Sequence, residues 1–163
     1  MEPTDPDGMR TAWRAVCALW DKTIERAQAL PEALLHTSVD GEFSFVQTLR
    51  HLVFATDKWC TAPVLGGEFD PIGLPNSGSL DFPWPRIDRD ADPSFAEALA
   101  VRRDRGARLS AYLDDLDPAE LTQTRVVLEN GNAPVQACLH TVFEEELAHN
   151  HYATRDLDAL QRS

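Results

Sequence analysis

The sequence predicts an all-α protein: a four-helix bundle with a long crossover after the second helix and a small β-hairpin before the fourth. Three observations carry this prediction. Apolar residues recur at three- and four-residue spacing in four long segments. A stretch rich in proline and glycine separates the second segment from the third. An Asn-Gly pair lies between two short strand-like runs just ahead of the fourth.

Residues 1–8 are rich in proline, aspartate and glycine and are expected to be loose, leaving 9–163 as a single domain. Between Met9 and Leu30, the positions Trp13, Val16, Cys17, Trp20, Ile24 and Ala27 mark one apolar face. Pro31 ends that helix, and residues 34–43, with His36 as an exposed loop histidine, read as a linker. The second helix is expected from Ser44, a good N-cap with Gln47 in the reciprocal position, to Cys60. Its stripe is Phe45, Leu49, Leu52, Thr56, Trp59 and Cys60, with His51 at the edge beside the small Thr48 and Ala55. Phe54 faces the other way, toward some covering segment.

Residues 61–93 hold Pro63, Pro71, Pro75, Pro83, Pro85 and Pro93, a density that no helix or strand survives. With Phe69, Phe82 and Trp84 to anchor it, this crossover is expected to lie across the bundle. The third helix starts at Ser94, with Glu97 completing a capping box, and runs to about Leu113. Its Arg102, Arg103, Arg105 and Arg108 read as a solvated, salt-bridged face rather than an anion site. After a short turn at DPAEL comes the hairpin around Asn130-Gly131, which two strands alone could not stabilise. The fourth helix is expected from Pro134 to about Leu160.

A chain of 163 residues, 43% hydrophobic and 26% charged, can bury one core but not two comfortable ones. The formal net charge of −12 argues against nucleic acid and anionic membrane surfaces as partners. The three cysteines, Cys17, Cys60 and Cys138, are far apart and form no C-x-x-C, which suits free thiols in a reducing cytoplasm.

The chemistry concentrates in the last helix. At about 100° per residue, Val135, Cys138, Val142, Tyr152, Ala153 and Leu160 share a core face, and Glu145 and His149 fall within it. His140, Glu144, His151, Arg155 and Asp158 fall opposite, as an ordinary solvated face. An acid and an imidazole in an apolar stripe must be paired, neutralised or metal-bound. A buried Glu–His ion pair satisfies this, and so does a metal site, because the four-residue spacing aims both side chains at one ion. A metal needs a third ligand from a neighbouring helix. His51 is the best candidate, with Glu146 as a fallback ligand or supporting group. Trp59, Tyr152 and Cys138 could wall the pocket together with Thr48 and Ala55, although core packing is the default for the first three.

The segments FSFVQTLRHLVFATDKW and HTVFEEELAHNHYATRDLDAL resemble the DinB-like family of metal-binding four-helix proteins. The resemblance is nearest to the branch that includes the N-terminal domain of mycothiol-dependent maleylpyruvate isomerase. Most members pair a histidine from the second helix with H-x-x-x-H on the last. In that branch a glutamate replaces the first histidine, as Glu145 does here. The resemblance implies a divalent metal on His51, Glu145 and His149, zinc in the first place, with nickel or another ion as the alternative. It also implies a low-molecular-weight thiol, mycothiol or bacillithiol, for S-transfer or isomerisation of a small electrophile, and pairing into a homodimer. It covers the bundle alone, so a group that the isomerase takes from its C-terminal domain is not implied. Arg155-Asp156 matches the branch's closing RDL segment and reads as a structural ion pair. A metal-dependent hydrolase and a non-catalytic metal-binding stress-response module remain the alternatives. No general acid or base can be assigned.

Overall fold

The computed structural model describes residues 2–162. Among them, four long helices form the bundle: α1 (Pro6–Gln28), α3 (Phe45–Thr56), α4 (Phe95–Asp114) and α5 (Val135–Arg162). A single short turn, α2 (Glu32–Leu35), lies between the first two. Helix α1 packs on α5 and α4, and α3 packs on α4 and α5, so each long helix has two neighbours around one core. The fold is therefore the expected all-α bundle, with the crossover and hairpin in their expected places.

Helix α1 begins three residues earlier than the apolar spacing suggests. Asp5 caps it by accepting from the Gly8 amide at 2.6 Å, and Pro6 suits the first turn. Of the segment expected to be loose, Pro3 is tied down, its O accepting from His140 Nε2 at 2.6 Å. His140 is thus half-buried beneath the N-terminal segment instead of lying on an open solvated face.

Between Pro31 and the expected linker, and running into its first two residues, α2 has a specific role. Glu32 accepts from the Phe95 amide at 2.9 Å and meets His36 Nε2 at 2.7 Å, so it pins the start of α4. The Phe95 amide, followed by His36, holds the Glu32 carboxyl below its ordinary value of 4.5. A depressed carboxyl contributes stability that is present above the unfolded value and lost as pH falls through the lower folded one. Glu32→Gln is therefore expected to flatten the fall in Tm just below pH 4.5, measured by thermal melts across that window.

Both predicted capping boxes form, Ser44 with Gln47 and Ser94 with Glu97. Helix α3 does not continue regularly to Cys60. From Asp57 to Thr61 the chain widens into a π turn, with Ala62 N bonded to Asp57 O and Leu65 N to Cys60 O, both at 3.0 Å. Asp57 in this turn is wholly buried. Its Oδ1 accepts from Arg105 Nε at 2.9 Å and its Oδ2 from the Asp70 amide at 2.8 Å.

The arginine cluster on α4 is not the solvated face that its sequence suggests. Arg105 is buried on Asp57, and Arg102 turns inward to grip Glu146 with both nitrogens, at 2.7 and 3.1 Å, while stacking 4.5 Å over Trp20. Only Arg103 and Arg108 remain exposed. Stacking and bidentate pairing suit a guanidinium better than an ammonium, and a charge count cannot distinguish such pairs from surface ones.

The crossover is a strap. Leu74 N donates to Arg50 O at 3.2 Å, and Arg50 Nε donates to Ile72 O at 2.8 Å. Phe54 meets Trp84 edge-on at 4.8 Å and Phe69 at 6.1 Å, so the expected covering segment is this strap. Strands β1 (Thr124–Val126) and β2 (Asn132–Pro134) pair antiparallel, Arg125 opposite Ala133. Pro134 thus closes a strand, and α5 starts at Val135. Gly131, at φ 70°, makes the turn.

Candidate metal centre

Three side chains meet where α3, α5 and the strap converge. One ligand atom from each of His51, Glu145 and His149 lies within 4.8 Å of the others. Glu145 Oε2 is 3.5 Å from His51 Nε2 and 3.4 Å from His149 Nδ1, and the imidazole centroids are 4.7 Å apart. Glu145 and His149 are one turn apart on α5, and the buried His51 comes from the middle of α3.

Both rings are oriented by main-chain carbonyls. His51 Nδ1 donates to Leu74 O of the strap at 2.9 Å, and His149 Nδ1 to Glu145 O of its own helix at 2.9 Å. An Nδ1–H held by a carbonyl leaves Nε2 with a free lone pair, the usual arrangement of a metal-bound histidine. Burial, and then the proximity of His51, pushes His149 below its ordinary value, which favours the neutral ring. The neighbouring His51 holds the Glu145 carboxyl below its usual range despite the opposing effect of burial.

The donor set fits a divalent metal on one particular observation. Glu145 Oε2 is buried and has no hydrogen-bond partner, alone among the buried side-chain oxygens and nitrogens of the described residues. At 3.4–3.5 Å the imidazoles are contacts, not good hydrogen bonds. A buried carboxylate oxygen without a donor is costly, and a cation between the three groups removes that cost. The simple Glu–His ion pair, the other reading of the spacing, meets this oxygen only through these two long contacts.

A cleft of about 280 Å³ adjoins the centre, lined by Glu42, Phe43, Thr48, His149, Tyr152 and Asp156. Phe43 lies 5.5 Å from His51 and Tyr152 lies edge-on to His149 at 6.1 Å. Arg155 ties the mouth together through Glu42 and Asp156, which gives the Arg-Asp pair the structural role expected of it.

A family model described as the DinB superfamily matches residues 16–153. The chain belongs to the DinB superfamily. This is a superfamily of metal-binding four-helix proteins, and the matched span contains all three candidate ligands of this DinB protein. No curated protein and no solved structure matches the chain significantly.

The remaining expected pocket residues divide. Thr48 is buried and lines the cleft of the DinB chain. Tyr152 lines it from outside, at 47% exposure, so its place on the core face is corrected. Glu146 is not a fallback ligand, because both its oxygens are held by Arg102 on the α1/α4 side. Cys138 is a buried core thiol near Cys60, and burial raises the pKa of both. Trp59 is half-buried with Lys58 Nζ 5.3 Å over its ring. Ala55 is buried one turn beyond His51. Sequence reasoning missed Glu42, Phe43 and Asp156, which come from the linker and the far end of α5. It also missed the Leu74 carbonyl, which has no side-chain signature.

Proposed function

We propose that the protein is a divalent-metal-dependent enzyme of small-molecule metabolism in which His51, Glu145 and His149 hold the ion. We further propose that a low-molecular-weight thiol, mycothiol or bacillithiol, is its co-substrate for S-transfer to, or isomerisation of, a small electrophile. The observation that carries the metal reading is the orphaned Glu145 Oε2 facing two oriented imidazoles. The thiol reading rests on the Glu-x-x-x-His form of the α5 motif together with the adjoining cleft.

Three protein ligands leave a coordination position free, and a divalent ion there supplies Lewis acidity that lowers the pKa of a thiol or a water. The protein's own groups do the rest. The Leu74 and Glu145 carbonyls fix the imidazole tautomers. Phe43 and Tyr152 provide aromatic walls for a small organic molecule beside the centre. Thr48 offers a hydroxyl to a substrate polar group. Zinc is the first choice on ligand type, with nickel next.

The test mixes metal-loaded protein with mycothiol or bacillithiol and an electrophile such as monochlorobimane, and follows thiol consumption. Turnover that needs metal, thiol and His51 is expected. Ester or amide cleavage without any thiol dependence would replace this reading with hydrolysis. Metal binding without either activity would leave a metal-binding stress-response module.

A further inference from the structure

A second cavity, of about 290 Å³, lies between α3 and the strap, and the metal ligands take no part in it. Its walls are apolar, chiefly Leu80, Phe82, Trp84 and Ile87, and Arg50 lines it from α3. The aromatic wall is fixed in place. Trp84 Nε1 donates to Ser79 O at 2.8 Å, and its ring is wedged between Phe82 at 4.4 Å and Phe54 at 4.8 Å.

Arg50 is the anomaly. Only 8% of it is exposed, and a single hydrogen bond from its guanidinium is present, from Nε to Ile72 O. The unpartnered Nη1 and Nη2 are not enclosed by protein, since Glu145 Oε2 is the one fully buried side-chain nitrogen or oxygen without a partner among the described residues. Among the described residues, no acceptor meets Nη1 or Nη2, so four of the five guanidinium N–H donors have no protein partner. The other inward-turned arginines are built differently, since Arg102 and Arg105 each grip a buried carboxylate. Pinning the strap needs only the one Nε bond, so it does not account for a fork left open at the edge of an apolar cavity. A planar fork with free parallel N–H groups matches the two oxygens of a carboxylate.

The surrounding charges narrow the ligand. Asp88 lines the cavity, with Oδ1 already accepting from the Asp90 amide, and the charges of Asp92 and Asp88 reach Arg50. Arg89, also lining it, donates to Leu80 O and lies 3.8 Å from Asp81. With Arg89 engaged by Asp81 and Leu80 O, the open Arg50 fork is the one cation left, among the described residues lining the cavity, to meet an anion. A phosphate dianion meets more repulsion from Asp88 and Asp92 than a monoanion does. The volume is at the lower edge of the usual ligand-pocket range of about 300–1,000 Å³, so the ligand is small. We infer that this cavity is a binding site for a small monocarboxylate with an aromatic or branched apolar body, its carboxylate on Arg50 and its body against Trp84 and Phe82.

The site can be probed with 3-phenylpropionate, using 3-phenylpropanamide as its neutral match, by NMR titration of the ¹⁵N-labelled full chain. The acid is expected to shift the Trp84 indole and Leu74 amide signals, and the amide to bind about tenfold more weakly or worse. Leu80→Glu alters an exposed wall residue, so the fold should survive while a negative charge at the cavity weakens the acid by a similar factor. Arg50→Gln should remove the preference for acid over amide. His149→Ala should leave binding unchanged, which separates this site from the metal centre. Equal binding of acid and amide, indifference to Leu80→Glu, loss of binding in His149→Ala, or no shift up to the solubility limit would each overturn the inference.

Discussion

Replacing His149 with alanine is expected to abolish stoichiometric metal binding while leaving the bundle folded. His149 is half-buried, and its one hydrogen bond is to a carbonyl of its own helix, so little packing depends on it. Its removal leaves two ligands, too few for a tight site. Losing a group that merely supports a ligand costs about 10–100-fold in metal affinity, and loss of the ligand itself should exceed that. His51→Ala should do the same, and His151→Ala, on the exposed side of α5, should not. Elemental analysis and zinc titration of the three variants, alongside circular dichroism, check this. Stoichiometric metal retained in both His51→Ala and His149→Ala would remove the ligand assignment. In the intact protein, metal at about 100 times its Kd should add about 2.7 kcal/mol of stability, and His149→Ala should lose that increment.

The largest loss of stability is expected at Asp57, which has no direct place in the metal centre. Asp57→Ala removes the buried partner of Arg105, which keeps only the half-exposed Asp104 carboxylate and the Glu68 carbonyl, and deprives the Asp70 amide of its acceptor. Breaking one side of a buried ion pair costs about 3–5 kcal/mol, a large share of the roughly 5–15 kcal/mol that holds a domain together. Urea denaturation at neutral pH should show an unfolding free energy lowered by that amount, as a lower midpoint with little change in slope. A loss under about 1 kcal/mol would mean that the pair behaves as a surface salt bridge. Because Asp70 belongs to the strap, the same substitution should also loosen the segment that orients His51.

The architecture was largely legible because it rests on periodic signals. Helix faces, both capping boxes, the proline-dense crossover and the Asn-Gly hairpin each leave a local mark, and each appears where its mark places it. The candidate metal cluster was legible for a related reason. An acid and a histidine one turn apart in an apolar stripe stand out, and His51 stands out beside small neighbours.

What the sequence hid is what depends on direction within a face. Glu146 is only one residue from Glu145, yet that step turns the side chain by about 100°, toward Arg102 and away from the histidines. Arg102 and Arg105 look like members of a solvated cluster until their buried partners on other elements are known. Tyr152 has an apolar body that counts toward a core stripe, while its position on the helix keeps it at the surface. The π turn at Asp57–Thr61 changes the faces on which Trp59 and Cys60 lie, and no residue type announces it.

The contact between Leu74 O and His51 Nδ1 makes the metal centre depend on a piece of chain that is neither helix nor strand. Segments of this kind open locally far more often than helices unfold. Each opening of residues 72–74 would free the His51 ring to turn, and an ion held at the candidate centre would lose an aligned ligand for that time. Apparent affinity then scales with the fraction of time the strap is closed. Hydrogen exchange at the Leu74 amide, which is bonded to Arg50 O, and release of the ion are two readings of one opening event.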